Sequence, residues 1–159
     1  MIKIKQSTTA DSRTCDWSKV TKEQLLESTQ SHLSDIRKGF DFFIYKMMQQ
    51  QAMHDLTKLS HLDDFYRNFK TGFKEQDWWE LHQEKERHHF NDPKYIPKDI
   101  NLFDVLDQIV DGVMAGMARS GSYRQEFISP DLLKTAYDNT VKLLLSEVVV
   151  EPRTEDKEQ

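Results

Sequence analysis

Apolar residues recur at three- and four-residue spacing along most of the chain, and the polar breaks between these stretches are short, a pattern that predicts helices. Thr21 followed by Gln24 has the spacing of a capping box and opens a helix from about Lys22 that carries Leu25, Leu26, Leu33, Ile36, Phe40 and Phe43. This helix either continues to Met48 or beyond or bends near Gly39, because glycine costs about 1 kcal/mol relative to alanine in a helix interior. Ser60, with Asp63 and Asp64 after it, predicts a second helix start and leaves His54-Asp55-Leu56-Thr57-Lys58 near the end of the preceding stretch. A third helix follows Asp77 through Trp78, Trp79, Leu81 and His82 towards His89, and Asn91-Asp92-Pro93 with Ile96-Pro97 forces a loop. Leu102, Val105, Leu106, Ile109, Val110, Val113, Met114 and Met117 predict a strongly buried helix ending near Gly121. Ser129-Pro130-Asp131 starts a final helix from Leu132 to about Val148, proline being well tolerated at the first helical position. Before Lys22 the chain reads as an extended arm, or as a short strand at Met1-Ile2-Lys3-Ile4.

Composition narrows this to one class. Five glycines and four prolines are too little turn punctuation for an all-β chain, and 159 residues suit one ordinary domain. The expectation is an all-α, single-domain bundle of about five to seven helices, with an N-terminal arm over 1–20, the helical domain over 21–150 and a charged, disordered tail over 151–159. Cys15 is the one cysteine, so neither an intrachain disulfide nor a cysteine-rich zinc site can form, and a reducing, cytoplasmic setting is expected. The first residues lack an apolar signal-peptide core, and no stretch approaches the roughly 18 apolar residues of a membrane span. A net charge of −5 argues against a grip on duplex nucleic acid but allows a small anionic ligand held through a metal. Leu143-Leu144-Leu145 and Val148-Val149-Val150 would suit a homodimer interface as well as a core.

The candidate chemistry lies in the histidines and aspartates. His32, His54-Asp55, His82 and His88-His89 fall on successive helical segments, and Asp104, Asp107 and Asp111 fall on another. A divalent transition metal takes neutral imidazole nitrogen and carboxylate oxygen converging from different elements, which a helical bundle can supply. Asp107 and Asp111 are one turn apart on an otherwise apolar stretch, where unpaired carboxylates are costly to bury and a cation offsets the cost. His82 and His89 share a face if their helix is unbroken, with His88 about 100° away, so either of the adjacent pair could serve. Any one histidine taken alone is more often a surface or hydrogen-bonded residue than a ligand, and the aspartates could equally cap or solvate a helix. The methionines read as core filler, and Trp78 and Trp79 with Phe65, Phe69 and Phe73 as core and pocket wall.

The ordered set resembles the HD-domain superfamily of metal-dependent phosphohydrolases, whose signature is a histidine, a His-Asp pair and a distant aspartate. HDLTK at 54–58 is similar to the HDxxK form of the central motif, and His88-His89-Phe90-Asn91-Asp92-Pro93 is similar to the HH segment of two-metal members. The chain looks most like small HD-like proteins of phages and bacteria that combine HD-x-S/T-K, a later W…H…HH segment and an acidic-x3-Asp motif; the resemblance covers roughly residues 28 to 121. It implies metal ligation by His32, His54 and Asp55, with Asp111 the first choice to close the site and Asp107 and Asp104 as rivals, and it puts His82, His88 and His89 on or beside a second metal. The separation between HDLTK and the later histidines is shorter than in cyclic-dinucleotide phosphodiesterases, and their glycine-rich motif is absent, so that activity is not expected.

The function expected from this resemblance is hydrolysis of a small phosphoester or anhydride, a nucleotide first among substrates, with one or two ions of Mn, Fe, Co, Ni or Zn. Asp55 would both ligate metal and orient the nucleophile, Lys58 would act in catalysis and pair with phosphate, and Arg87, Arg119 and Arg124 are further candidates for substrate. Two other classes are expected to compete: a di-iron oxygenase of HD type, and a non-enzymatic phage or bacterial interaction protein with a structural metal.

Overall fold

The computed structural model describes residues 1–7, 9, 12–13, 15–123 and 126–152. It is helical as the pattern predicts, in the order β1 (Ile2–Lys5), α1 (Lys22–Met53), α2 (Leu56–Ser60), α3 (Leu62–Lys70), α4 (Asp77–Lys85), α5 (Leu102–Ser120), α6 (Pro130–Glu147) and β2 (Val148–Glu151), with single 3-10 turns at Trp17–Lys19 and Pro93–Tyr95. No helix of the described residues is long and apolar enough to cross a membrane. Contacts gather in two units, Met1–Tyr45 with Leu143–Gln159, and Lys46–Lys142. The divisions fall inside α1 and α6, so no linker composition marks them.

In the terminal unit, β1 and β2 pair in parallel with Ile2 opposite Val148 and Ile4 opposite Val150. The strand reading of the N-terminus is therefore the one realised. The final helix stops at Glu147, one residue before its expected end, because three β-branched valines in succession favour the pleated surface that β1 offers. Ion pairs flank the ladder, from the N-terminal ammonium to Glu147 at 2.8 Å and from Lys3 to Glu151 at 3.1 Å. Thr21 and Gln24 make both hydrogen bonds of the capping box, and α1 passes Gly39 without a break. Residues 153–159 of the expected tail, like Arg124, lie outside the described residues.

The central unit is organised around two small cores. Phe90, Ile100, Val105 and Ala136 form one, with Ile96, Leu102, Ile128 and Leu132 packed against it. Hydrogen bonds fasten α5 and α6 there: the Leu102 N–H donates to Thr140 Oγ1 at 2.8 Å, and the Asn139 amide to the Ile100 carbonyl at 2.9 Å. The other core is aromatic. Trp78, only 2 % exposed, stacks on Phe65 at 4.2 Å and on His82 at 4.8 Å. Phe73, in the left-handed region at φ 58°, closes the α3–α4 turn beside it.

Two expectations about helices change. A separate short helix, α2, follows His54-Asp55, and α3 is preceded by His61 rather than capped by Ser60. The α5 pattern is not buried within the chain: Phe103 and Val105 are, but Leu106, Ile109, Val110, Val113, Met114 and Met117 remain exposed. Periodicity identifies the face that favours burial and is silent on whether the same chain covers it.

Candidate metal centre

The site is assembled in the central unit from three places: the α1–α2 junction, the C-terminal end of α4 with the turn after it, and α5. Asp55 adopts φ 58°, ψ 19°, a left-handed conformation that aspartate tolerates better than most residues. This conformation ends α1 and starts α2, leaving His54 and Asp55 at the break. α4 ends at Lys85 because Glu86 turns to extended backbone. A helix running unbroken to His89 is therefore not what forms: the backbone leaves the helix at Glu86, and both His88 and His89 come to the site.

The distances define a continuous cluster. His54 Nδ1 lies 2.8 Å from Asp107 Oδ1, and its Nε2 lies 3.3 Å from Asp55 Oδ2 and 3.9 Å from Asp111 Oδ1. His82 Nε2 is 3.4 Å from Asp55 Oδ1 and 2.9 Å from His89 Nε2. His88 is 3.9 Å from Asp55 Oδ1 through Nε2 and 3.4 Å from Asp107 Oδ2 through Nδ1. Three overlapping groups have ligand atoms within 4.8 Å of one another: Asp55, His82, His88 and His89; His54, His88 and Asp107; and His54, Asp55 and Asp111.

Hydrogen bonding tests whether a cation fits. Among the described residues, Asp55 Oδ1 and both ring nitrogens of His88 are buried without a hydrogen-bond partner, the long approach of His88 to Asp107 notwithstanding. Orphaned polar atoms of this kind cost on the order of 1–3 kcal/mol each, and here Asp55 Oδ1 and His88 Nε2 lie 3.9 Å apart, a spacing that a shared ion can bridge. Nitrogens bound at about 2.0–2.1 Å to a common ion lie about 3 Å apart when adjacent in the coordination shell, close to the His82–His89 separation. The donor set, imidazole and carboxylate without thiolate, suits a divalent transition ion. The residues fit a metal.

Electrostatics favour neutral imidazole at His82 and His89 and ionised carboxylate at Asp55 and Asp107, whereas His88 is pulled the other way. Burial, with His89 beside it, pushes His82 down to about 3, and burial with His88 pushes His89 down to about 4. His88 is also opposed by burial, but Asp107, Asp55 and Asp111 outweigh it and hold its pKa above the ordinary value. Burial likewise acts to raise Asp55, yet the ammonium of Lys58, hydrogen-bonded to its Oδ2, together with His54 and His82, keeps it below the usual carboxylate range. Asp107 is held low against its burial by His88, Gln50 and His54.

The expected residues separate accordingly. His54, Asp55, His82, His88, His89, Asp107 and Asp111 are brought together, with Lys58 on Asp55. His32 sits exposed on α1 in the terminal unit and belongs to none of the three groups. Asp104 is fully buried and otherwise engaged. It accepts from Arg87 Nε and Nη2 at 2.8 Å each, and from the Asn101 N–H at 2.9 Å as half of the α5 capping box. Arg87 also donates to Asp99, so its guanidinium is committed to two carboxylates. Arg119 is exposed near the end of α5, and His61 is exposed with Nδ1 on Ser60 Oγ.

Three participants were not singled out from the sequence. Gln50, one turn before His54, donates to Asp107 Oδ2 at 2.9 Å. Thr57, inside HDLTK, meets His82 Nδ1 at 2.6 Å, and Glu86, between His82 and His88, binds the Asp55 and Thr57 backbone. The spacing of Gln50 to His54 and the place of Thr57 within the motif were the available signals; Glu86 had none. Comparison with known protein families, curated proteins and solved structures finds no match to this chain.

Proposed function

We propose that the chain is a metal-dependent phosphohydrolase acting on a small phosphoester or anhydride, with nucleotides as the first substrate class. The observation that carries this reading is the convergence of four histidines and three aspartates, with buried unpartnered atoms on Asp55 and His88, beside the cation of Lys58. A bound divalent ion supplies Lewis-acid stabilisation of a phosphoryl oxygen and lowers the pKa of a water towards neutrality. Asp55 links the groups: Oδ1 faces His82 and His88, and Oδ2 faces His54 and Lys58. Its carboxylate, kept ionised by these neighbours, orients a nucleophilic water by accepting its proton in a hydrogen bond. Lys58 is the residue that meets substrate phosphate as a point charge, releasing Asp55 in doing so. Asp107 holds His54 by Nδ1, which turns Nε2 towards Asp55 and Asp111.

The test is elemental analysis followed by a nucleotide and phosphoester screen with Mn, Fe, Co, Ni and Zn. One or two equivalents of metal and phosphate release, both lost in His54→Ala and Asp55→Ala variants of unchanged helical content, are expected. Metal-loaded protein that releases no phosphate, or variants with full turnover, would overturn the reading; oxygen consumption by the iron form would move it to the oxygenase class.

A further inference from the structure

Glu86 is a buried carboxylate, 6 % exposed, outside the three ligand groups. It accepts three hydrogen bonds: Oε2 from the Asp55 N–H at 3.1 Å, and Oε1 from the Thr57 N–H at 2.9 Å and from the Thr57 hydroxyl at 2.7 Å. Three donors on one carboxylate offset most of the cost of burying it. Both oxygens are occupied in holding the backbone of the His-Asp junction.

Counting protons across this chain of contacts fixes the state of His82. A threonine hydroxyl has one hydrogen, and here it goes to Glu86 Oε1. Thr57 Oγ1 can therefore only accept from the ring 2.6 Å away, so His82 Nδ1 carries a hydrogen. The neutral imidazole then has its lone pair on Nε2, the atom that faces Asp55 Oδ1 and His89 Nε2. His82 is fully buried and stacked on Trp78, which leaves the ring little freedom to flip.

We infer that Glu86 and Thr57 are positioning residues that act as one relay, holding Asp55 in its left-handed conformation and fixing His82 as the Nδ1–H tautomer with Nε2 free to ligate. The relay joins the two separate sources of ligands: Glu86 leads the turn that carries His88 and His89, and it grips the junction that carries His54 and Asp55. Its use in metal binding rests on the proposed metal centre; the tautomer itself does not. Supporting partners of this kind change metal affinity by 10–100-fold when removed.

The test uses the full chain with 15N-labelled histidine and Co2+ as the probe. In metal-free protein, His82 is expected as the Nδ1–H tautomer; Thr57→Val, close in shape but without the hydroxyl, loses that preference, and Thr57→Ser restores it. Co2+ affinity is expected to fall 10–100-fold in Thr57→Val and in Glu86→Gln, whose amide cannot accept at both ends, and to stay within about threefold of the parent in Thr57→Ser. His82 remaining the Nδ1–H tautomer in Thr57→Val, or Thr57→Ser failing to restore it, overturns the relay. If the parent chain binds no Co2+ while the tautomer still responds to Thr57→Val, the relay stands and the metal reading falls.

Discussion

Arg87 grips Asp104 through two parallel hydrogen bonds of 2.8 Å, one from Nε and one from Nη2, and the aspartate is completely buried while the arginine is partly exposed. The same carboxylate accepts the Asn101 N–H that opens α5. Of three aspartates spaced along that helix, this one is occupied by the fold, whereas Asp107 and Asp111 face the histidines.

Asp104→Ala is therefore expected to destabilise the protein by on the order of 3 kcal/mol, since it leaves the partly buried guanidinium of Arg87 to the exposed Asp99 alone and removes a cap. Urea unfolding measures the loss, and metal titration of the same variant is expected to match the parent.

Asp107→Ala and Asp111→Ala are expected to lower metal affinity at least tenfold, as for removal of a ligand or its support. Stability of the metal-free protein should hold in Asp111→Ala and fall by on the order of 1–3 kcal/mol in Asp107→Ala, which takes the acceptor from Gln50 and His54. Co2+ titration and thermal melts in chelator read the two effects separately.

Asp55 combines a left-handed backbone with a half-buried charge. Asp55→Gly is expected to abolish metal uptake yet raise the stability of the metal-free protein by about 1 kcal/mol, because glycine adopts positive φ without steric cost. A lower melting temperature for this variant in chelator would show that the Lys58 contact outweighs the backbone term.

Acid should loosen the metal-free protein between about pH 6.5 and 4. His82 and His89 are depressed to about 3 and about 4 in the fold, so below 6.5 the unfolded chain binds protons that the native state refuses, and stability falls as pH falls. His88, whose pKa is raised, works the other way, adding stability below 6.5 that is lost as pH rises through its folded value. Two groups against one give a net decline on acidification, which melting curves across that window in chelator would record; His82→Gln should flatten it.

Trp78 packs between Phe65 and His82 and supports that ring as well as the core. Trp78→Ala is expected to cost about 3–5 kcal/mol in urea unfolding, with Trp78→Phe milder.

Helix type and most helix starts were legible in the order of residues because they are local: the Thr21–Gln24 box, Asn101 before α5, Gly121 in the left-handed region after it, and Ser129-Pro130 before α6 all act within a few residues. The kinds of residue in the site were legible too, since histidines recur on successive segments and Asp107 and Asp111 interrupt the apolar run of α5. Tertiary structure decided the selection among them. Asp104 and Asp107 are one turn apart and chemically identical, yet one meets Arg87 and the other His54, a difference set by what packs opposite each. His88 and His89 both reach the cluster because the backbone leaves the helix at Glu86, whose carboxylate is tied to Thr57, 29 residues away in the chain. The α5 stripe marks which side favours burial, but whether anything covers Ile109 or Met114 depends on partners the pattern does not encode. Local rules set the elements; long-range hydrogen bonds and charge pairs, each worth only about 1–3 kcal/mol, set which side chains meet in the cluster.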